Sequence, residues 1–260
     1  MTGGAGYIGS VTLELMLAEG LAPVVLDNLS VGHLEAVPAG VPFVKADLTD
    51  QAAVREAFRK HEIGAVIHLA ALALVGESVR EPSLYYRQNV GGMLNLLDAM
   101  LEAGVKRIVF SSSAATYGVP ETVPIPEEAP TVPVNPYGET KLVGERMLAH
   151  YAVAHGLNSV ALRYFNVAGE SQNYGEHHRH ETHLIPRALQ VAQGQQPRAE
   201  IFGRTVRFLT VPASATTSKI ADLAEAHLLA LERRAKALPS TTSATAEAIR
   251  CARLLLAQRR

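Results

Sequence analysis

The sequence predicts an α/β protein built on a Rossmann-type, doubly wound parallel sheet, and three observations support that prediction. Short apolar runs alternate with stretches of helical spacing through the first two thirds of the chain. A glycine-rich segment at residues 2–9 opens the first helical stretch. An acidic residue, Asp27, follows at the end of the next apolar run, about 20 residues further on. Such alternation is typical of a parallel sheet with helices on both faces.

The apolar runs give the predicted strands, and the segments between them give the predicted helices. The strands are expected at residues 24–26, 65–70, 107–110 and 159–163. The helices are expected at residues 11–19, 51–60, 83–103, 141–155 and 221–234. After residue 168 this alternation ends and a His-rich loop follows. We therefore predict a nucleotide-binding domain at residues 1–168 and a small, incomplete substrate-binding region at residues 169–260.

The composition excludes several classes of function. Of the 260 residues, 48% are hydrophobic and 19% are charged, and the net charge is −1. These values indicate a globular chain with no electrostatic footprint for nucleic acid or an anionic membrane. The single cysteine, Cys251, excludes an internal disulfide and fits a reducing compartment. Because no apolar run could span a bilayer and no secretory signal is evident, we expect a cytoplasmic protein.

The glycine-rich segment carries the pattern of a dinucleotide-binding loop. Gly3, Gly6 and Gly9 have G-x-x-G-x-x-G spacing, which lets the backbone approach a pyrophosphate at a helix N-terminus. The carboxylate of Asp27 is placed to bind an adenosine ribose and would repel a 2′-phosphate, so NAD is favoured over NADP. Asp47 follows another short run, where it either borders the adenine or caps a helix.

A Y-x-x-x-K motif supplies candidate acid–base chemistry. Tyr137 and Lys141 lie four residues apart, on one face of a predicted helix. A neighbouring cation favours the phenolate and would lower the pKa of Tyr137 toward working pH. Ser113 ends an apolar strand, at the sheet edge where doubly wound proteins bind ligands. Alone, each feature is common on protein surfaces; in this order along one chain, they predict a single active site.

Longer matches show that the chain resembles the UDP-glucose 4-epimerases of the extended short-chain dehydrogenase/reductase family. The matching segments include T-G-G-A-G-Y-I-G-S from Thr2, F-S-S-S-A from Phe110, N-P-Y-G-x-x-K from Asn135, L-R-Y-F-N-V-A-G from Leu162 and G-E-H-H-R-H-E-T-H-L-I-P from Gly175. The resemblance implies a UDP-sugar substrate, bound NAD and a homodimer. It further implies that Tyr137 removes the proton of the sugar 4-hydroxyl, that Ser113 holds that oxygen, and that Lys141 bonds the nicotinamide ribose.

The same resemblance implies two sets of binding residues. Cofactor contacts are expected at Gly3, Gly6, Tyr7, Ile8, Gly9, Asp27, Asn28, Asp47, Leu48, Asn89 and Phe165. Substrate contacts are expected at Asn166, His183, Leu184 and Phe202, the last near the uracil. A cluster of four histidines (His177, His178, His180 and His183) has spacing that metal ligands can have. Because no nearby cysteine or acid pair completes a shell, no metal is expected.

Three segments depart from the family pattern. The chain begins at the glycine loop, so the first strand is expected to be missing. Residues 204–220 match the family pattern in length but not in sequence. If the codons for these residues are read from one base earlier, they can encode the family pattern D-x-P-x-P-D-G-T-x-V-R-D-Y-I. The same shift permits Y-N-L-G-N-G-G-G-Y-S-V-R-E at residues 241–253. We therefore interpret residues 204–220 and 240–260 as out of frame, with Ala215 in place of an arginine that binds the substrate diphosphate in the family.

Two alternatives to a 4-epimerase remain open at this stage. One is another sugar-nucleotide enzyme, either a 4,6-dehydratase or a different epimerase. A dehydratase needs an additional acid to expel the 6-hydroxyl, and the residues after Ser113 are Ala114, Ala115 and Thr116, which disfavours it. The other alternative is a non-catalytic NAD-binding remnant, which the three departures would explain and which makes low activity an expectation for this chain.

Overall fold

The computed structural model describes residues 1–178, 183–198 and 217–232. Its α-helices are α1 (Tyr7–Ala18), α2 (Gln51–Lys60), α3 (Val75–Arg80), α4 (Pro82–Tyr85), α5 (Gly92–Glu102), α6 (Pro136–His155), α7 (Leu184–Ala192) and α8 (Ile220–Glu232). Its strands are β1 (Val25–Asp27), β2 (Phe43–Lys45), β3 (Val66–His68), β4 (Arg107–Ser113), β5 (Asn158–Tyr164), β6 (Asn166–Ala168) and β7 (Thr217–Lys219). A π-helical segment, Tyr86–Gly91, joins α4 to α5.

The main sheet is parallel, and the amino terminus lies at its centre. Strands β1 and β2 pair on one side, and β3, β4 and β5 pair in that order on the other. Thr2 forms parallel bridges to both Leu26 and His68 and so joins the two halves. The Leu26 amide donates to the Met1 carbonyl at 2.9 Å, and the Leu69 amide donates to the Thr2 carbonyl at 3.1 Å. The position of the expected first strand is therefore held by Met1 and Thr2.

Helices cover both faces of this sheet, which confirms the doubly wound prediction. Alternate strand residues point to opposite faces because the side-chain period of a strand is two. One face packs against buried residues of α2, α5 and α6, and the other packs against α1 and α8. The strand residues of the first face are Val66, Ile108 and Phe110, and those of the second are Ile67, Val109 and Leu162.

A smaller parallel pair, β6 with β7, follows the main sheet and leads directly into α8. Leu223 and Ala226 of α8 are buried against Met16 of α1, so this late helix packs on the nucleotide-binding layer. The division at residue 168 stays a prediction. Residues 204–216 and 240–260, which carry most of the expected frame changes, lie outside the described residues. None of the helices in the described part of the chain is long and apolar enough to cross a membrane.

Candidate active site

The glycine loop between Thr2 and α1 packs too tightly for side chains at two of its glycines. Gly3 has φ +72°, and a Cβ there would lie 2.6 Å from the backbone nitrogen of Ala70. A Cβ on Gly9 would overlap the carbonyl oxygen of Gly3. Gly6 forms the N-cap of α1, and it lines the large cleft at the carboxyl ends of the strands. The close approach and the helix N-terminus fit a dinucleotide pyrophosphate.

Asp27 at the end of β1 joins this loop to the next turn. Its Oδ2 accepts a hydrogen bond from the Ala5 amide at 3.1 Å, and its Oδ1 accepts one from the Leu29 amide at 2.8 Å. The residue is 8% exposed, and it lines the cleft. These two amides hold the carboxylate beside the glycine loop, as a ribose-binding acid requires.

Asp47 is linked to the cleft through Asn28, whose Nδ2 donates to Asp47 Oδ2 at 2.7 Å. Burial alone would raise the pKa of Asp47, but hydrogen bonds from Thr49, Asn28 and Gln88 outweigh burial and lower the pKa. The alternative that Asp47 caps a helix is wrong, because Asp50 caps α2 by accepting from the Ala53 amide at 3.0 Å. A role at the edge of the adenine site stays a prediction.

Asn89, in the π-helical segment, fixes the loop that follows β3. Its Nδ2 donates to the Leu72 carbonyl at 3.0 Å, and its Oδ1 accepts from the Leu72 amide at 2.9 Å. Nδ2 also donates to Thr140 Oγ1 at 3.1 Å, which ties the loop to α6. The side chain is 7% exposed, so it acts here mainly as a brace for one wall of the cleft.

Ser113, Tyr137 and Lys141 meet where β4 ends beside α6. The helix begins there because Asn135 caps it, accepting from the Gly138 amide at 2.8 Å, and Pro136 fills the first turn. The side chains of Ser113 and Tyr137 are hydrogen-bonded, and both residues line the cleft. Lys141 is 3% exposed, and its Nζ donates to the Ser111 carbonyl at 2.7 Å.

The electrostatics of this group differ from expectation. Burial raises the pKa of Tyr137, and the hydrogen bond from Ser113 only partly offsets it. Burial also lowers the pKa of Lys141 to about 7. The expected lowering of the Tyr137 pKa is wrong for this structure, because Lys141 Nζ lies 5.9 Å from the centroid of the tyrosine ring and is bonded to a backbone carbonyl. Desolvation therefore outweighs the attraction between the two groups.

One cleft of about 910 Å³ collects most of the predicted site. The predicted residues that line it are Gly3, Gly6, Tyr7, Ile8, Gly9, Asp27, Asn28, Leu48, Asn89, Ser113, Tyr137, Phe165, Asn166 and His183. Lys141 lies behind this lining, against Ser111. Leu184 is the first residue of α7, but its side chain is not among those described, and Phe202 lies outside the described residues.

Sequence reasoning missed a buried ion pair directly beneath this site. Glu145 accepts hydrogen bonds from Ser112 Oγ at 2.5 Å and from two nitrogens of Arg163, at 2.8 and 2.5 Å. The Arg163 guanidinium lies 4.8 Å from the centroid of the Tyr117 ring. The spacing held a signal, because Glu145 is four residues after Lys141 and so lies on the same helix face.

Sequence reasoning also overlooked Glu176, which lines the cleft with His178 and His183. Glu176 Oε1 is 3.0 Å from His183 Nδ1 and 3.6 Å from His178 Nδ1. The charge of Glu176 also acts on Tyr7. Burial, together with repulsion by this charge, raises the pKa of Tyr7 to about 12. The absence of a metal was predicted from the histidines alone, without this carboxylate, and it stays a prediction.

The fold and the site together define a dinucleotide-binding enzyme of the short-chain dehydrogenase/reductase type, with Ser113 and Tyr137 in the cleft and Lys141 behind them. The model of the NAD dependent epimerase/dehydratase family matches residues 1–242. The chain belongs to this family.

Its relatives are similar over most of this chain. A UDP-glucose 4-epimerase of Streptomyces lividans is 48% identical over 239 residues, which cover 90% of this chain and 71% of that enzyme. A UDP-glucose 4-epimerase of Halalkalibacterium halodurans is 49% identical over 238 residues, which cover 91% of this chain and 71% of that enzyme. Among solved structures, the UDP-glucose 4-epimerase of Brucella ovis in complex with NAD superposes with a TM-score of 0.82 and 50% identity, covering 89% of this chain and 71% of that one.

Proposed function

We propose that the protein is a UDP-glucose 4-epimerase that interconverts UDP-glucose and UDP-galactose with tightly bound NAD. The observation that carries this proposal is that Ser113 and Tyr137 share one cleft with the glycine loop and Asp27. The UDP-glucose 4-epimerases at 48 and 49% identity support the choice of substrate. The absence of an acid after Ser113 still disfavours a dehydratase.

The cleft offers NAD a complete set of contacts. The glycine loop takes the pyrophosphate at the N-terminus of α1, and Asp27 takes the adenosine ribose. Lys141, at the nicotinamide end, takes the second ribose. When bound, NAD supplies a hydride acceptor that takes a hydride from the sugar C4 and can return it to either face of that carbon.

The residues of the chain manage the proton that accompanies this chemistry. Tyr137 Oη accepts the proton of the 4-hydroxyl and later gives it back, and Ser113 Oγ holds the same sugar oxygen. Because burial raises the pKa of Tyr137, its phenolate depends on the hydrogen bond from Ser113, which lowers that pKa. Lys141 is buried, whereas Ser113 and Tyr137 are partly exposed in the cleft, so a bound substrate completes the exclusion of water that strengthens these interactions.

The proposed function is tested by assaying epimerisation of UDP-galactose. The chain is compared with a version carrying the in-frame family sequence at residues 205–218 and 241–253, which returns an arginine at position 215. We expect low activity from the chain and a large gain from that version, because the cation balances the substrate diphosphate. If the restored version binds NAD and UDP yet converts no UDP-galactose, the proposed function is wrong.

A second arm tests the base. In the restored version, Tyr137→Phe should lower kcat by about 10²–10⁴-fold, the usual range for a lost general base. Tyr151→Phe is the matched control, because Tyr151 lies on the same helix and bonds Asp98 at 3.1 Å, away from the cleft. Equal losses in the two variants would remove Tyr137 from the mechanism.

We further propose that the enzyme is a cytoplasmic homodimer. The single cysteine favours a reducing compartment. Large apolar side chains are exposed on the helices before and after the π-helical segment: Val79 is 61% exposed and Leu94 is 44% exposed. Sedimentation should give the mass of two chains, and Leu94→Glu should shift the protein toward monomer. A monomeric parent protein would contradict the proposal.

A further inference from the structure

We propose that Glu176, His178 and His183 form a binding site for a divalent transition metal, with Zn²⁺ as the best-suited ion. One carboxylate and two imidazoles meet there, and one ligand atom from each lies within 4.8 Å of the other two. Imidazole and carboxylate ligands suit Zn²⁺, whereas Mg²⁺ and Ca²⁺ prefer oxygen ligands alone.

Two of the three distances between ligand atoms are close to those of a tetrahedral site. Bonds of about 2.0–2.1 Å from Zn²⁺ to nitrogen or oxygen place neighbouring donors about 3.3–3.4 Å apart. The carboxylate oxygen of Glu176 lies 3.0 Å from His183 Nδ1 and 3.6 Å from His178 Nδ1, on either side of that value. The two imidazole rings are tilted by 40° with centroids 4.8 Å apart, and their ligand atoms lie within 4.8 Å of each other, so binding one ion requires the rings to turn toward each other.

The backbone around the cluster is braced by a second pair of histidines. The rings of His33 and His177 are in contact at a tilt of 39° with centroids 4.8 Å apart, and His33 Nε2 lies 3.2 Å from the His177 carbonyl oxygen. This contact restrains the backbone of the residue between Glu176 and His178, the first two ligands. Preorganisation of this kind lowers the cost of assembling a metal site.

The three side chains line the same cleft as the glycine loop. Three protein ligands leave a fourth tetrahedral position, which faces the cleft and takes water. Because His183 is also a predicted substrate contact, a bound Zn²⁺ should compete with the UDP-sugar. This consequence rests on the proposed function, whereas metal binding does not.

The test titrates the metal-free chain with Zn²⁺ alone by calorimetry and with Co²⁺ by visible absorption. Co²⁺ in a tetrahedral site of nitrogen and oxygen ligands gives an intense d–d band that hexaaqua Co²⁺ lacks. We expect one ion per chain with that band, reversed by a chelator. Glu176→Gln and His178→Gln should each weaken Zn²⁺ binding by more than about tenfold, since even outer-shell partners of metal ligands are typically worth that much.

His150→Gln is the matched control, because this histidine is exposed on α6 and does not line the cleft. It should keep the Co²⁺ band, and circular dichroism should show the same fold in every variant. No tetrahedral band in the parent chain, or equal weakening by His150→Gln and His178→Gln, would overturn the site. A restored version that shows the band but never epimerises UDP-galactose would contradict only the proposed function.

Discussion

Glu145 of α6 and Arg163 of β5 form a two-point ion pair inside the protein, with nitrogen–oxygen distances of 2.8 and 2.5 Å. Their side chains are 8% and 12% exposed, so both charges have lost most of their water. The carboxylate also accepts from Ser112, the neighbour of Ser113. The pair therefore ties the helix that carries Tyr137 to the strand end that carries the serine.

The first prediction concerns the cost of breaking this pair. Glu145→Ala should lower the free energy of unfolding by about 3–5 kcal/mol, because Arg163 would remain buried without its compensating charge. Urea unfolding measures the loss. The double variant Glu145→Leu with Arg163→Met should recover much of it, since an apolar pair carries no desolvation cost. If Glu145→Ala alone is neutral, the pair does not stabilise the fold.

The second prediction concerns pH. His227 is fully buried, and burial lowers its pKa to about 4 from its ordinary value of 6.5. Between these two values the unfolded chain binds a proton at this site and the folded chain does not, so stability falls as the pH drops. The effect has a limit of about 3.5 kcal/mol, from 2.5 pH units at about 1.4 kcal/mol each, and reaches about 3 kcal/mol near pH 4, where the folded histidine is half protonated.

The measurement is the free energy of unfolding of the protein and of His227→Gln from pH 7 to pH 4. The protein's advantage in free energy of unfolding over the variant should shrink toward low pH, because the variant lacks the side chain at position 227 that gains a proton on unfolding. His68 also has a lowered pKa, to about 3, and remains in both proteins, so only the difference reports on His227. A constant difference across this range would show that His227 does not titrate as burial predicts.

Most of the fold was predictable because it depends on periodicity. The alternation of apolar runs and helical stretches gave the parallel sheet and its two helical layers. The unusual start of the sheet was not predictable, since pairing by Met1 and Thr2 depends on backbone hydrogen bonds to Leu26 and Leu69 rather than on side chains. The strand lengths were also hard to predict, because a three-residue strand such as Val66–His68 carries little pattern of its own.

The features of the site likewise fall into those that could be predicted from the sequence and those that could not. The glycine loop, Asp27, Ser113 and Tyr137 lie in motifs with fixed spacing, and the structure brings them to one cleft. The raised pKa of Tyr137 could not be predicted, since it depends on how deeply the ring is buried. Glu176 was missed because the carboxylate and His183 are seven residues apart across a loop, where sequence spacing does not determine distance.

The third prediction concerns cofactor choice. Asp27 lines the cleft with its carboxylate held by two backbone amides, so NAD should bind more tightly than NADP, whose 2′-phosphate would meet a negative charge. Asp27→Asn should reduce the difference in affinity between NAD and NADP by removing that repulsion. Calorimetric titration of both cofactors into the two proteins measures it. Equal affinity for NADP in the parent protein would exclude Asp27 from the ribose site.

The last prediction separates two roles within the glycine loop. A Cβ at Gly9 would overlap the Gly3 carbonyl oxygen, whereas a Cβ at Gly6 would lie 3.5 Å from that same oxygen, an ordinary contact. Gly6 has φ −85°, which alanine adopts without strain. Gly9→Ala should therefore lower the melting temperature, because helix and loop must move apart. Gly6→Ala should leave the melting temperature unchanged and weaken NAD binding, because its methyl group occupies the cleft where the pyrophosphate approaches. Thermal unfolding and NAD titration of both variants distinguish these effects. If Gly6→Ala binds NAD as tightly as the parent protein, the pyrophosphate does not lie against this loop.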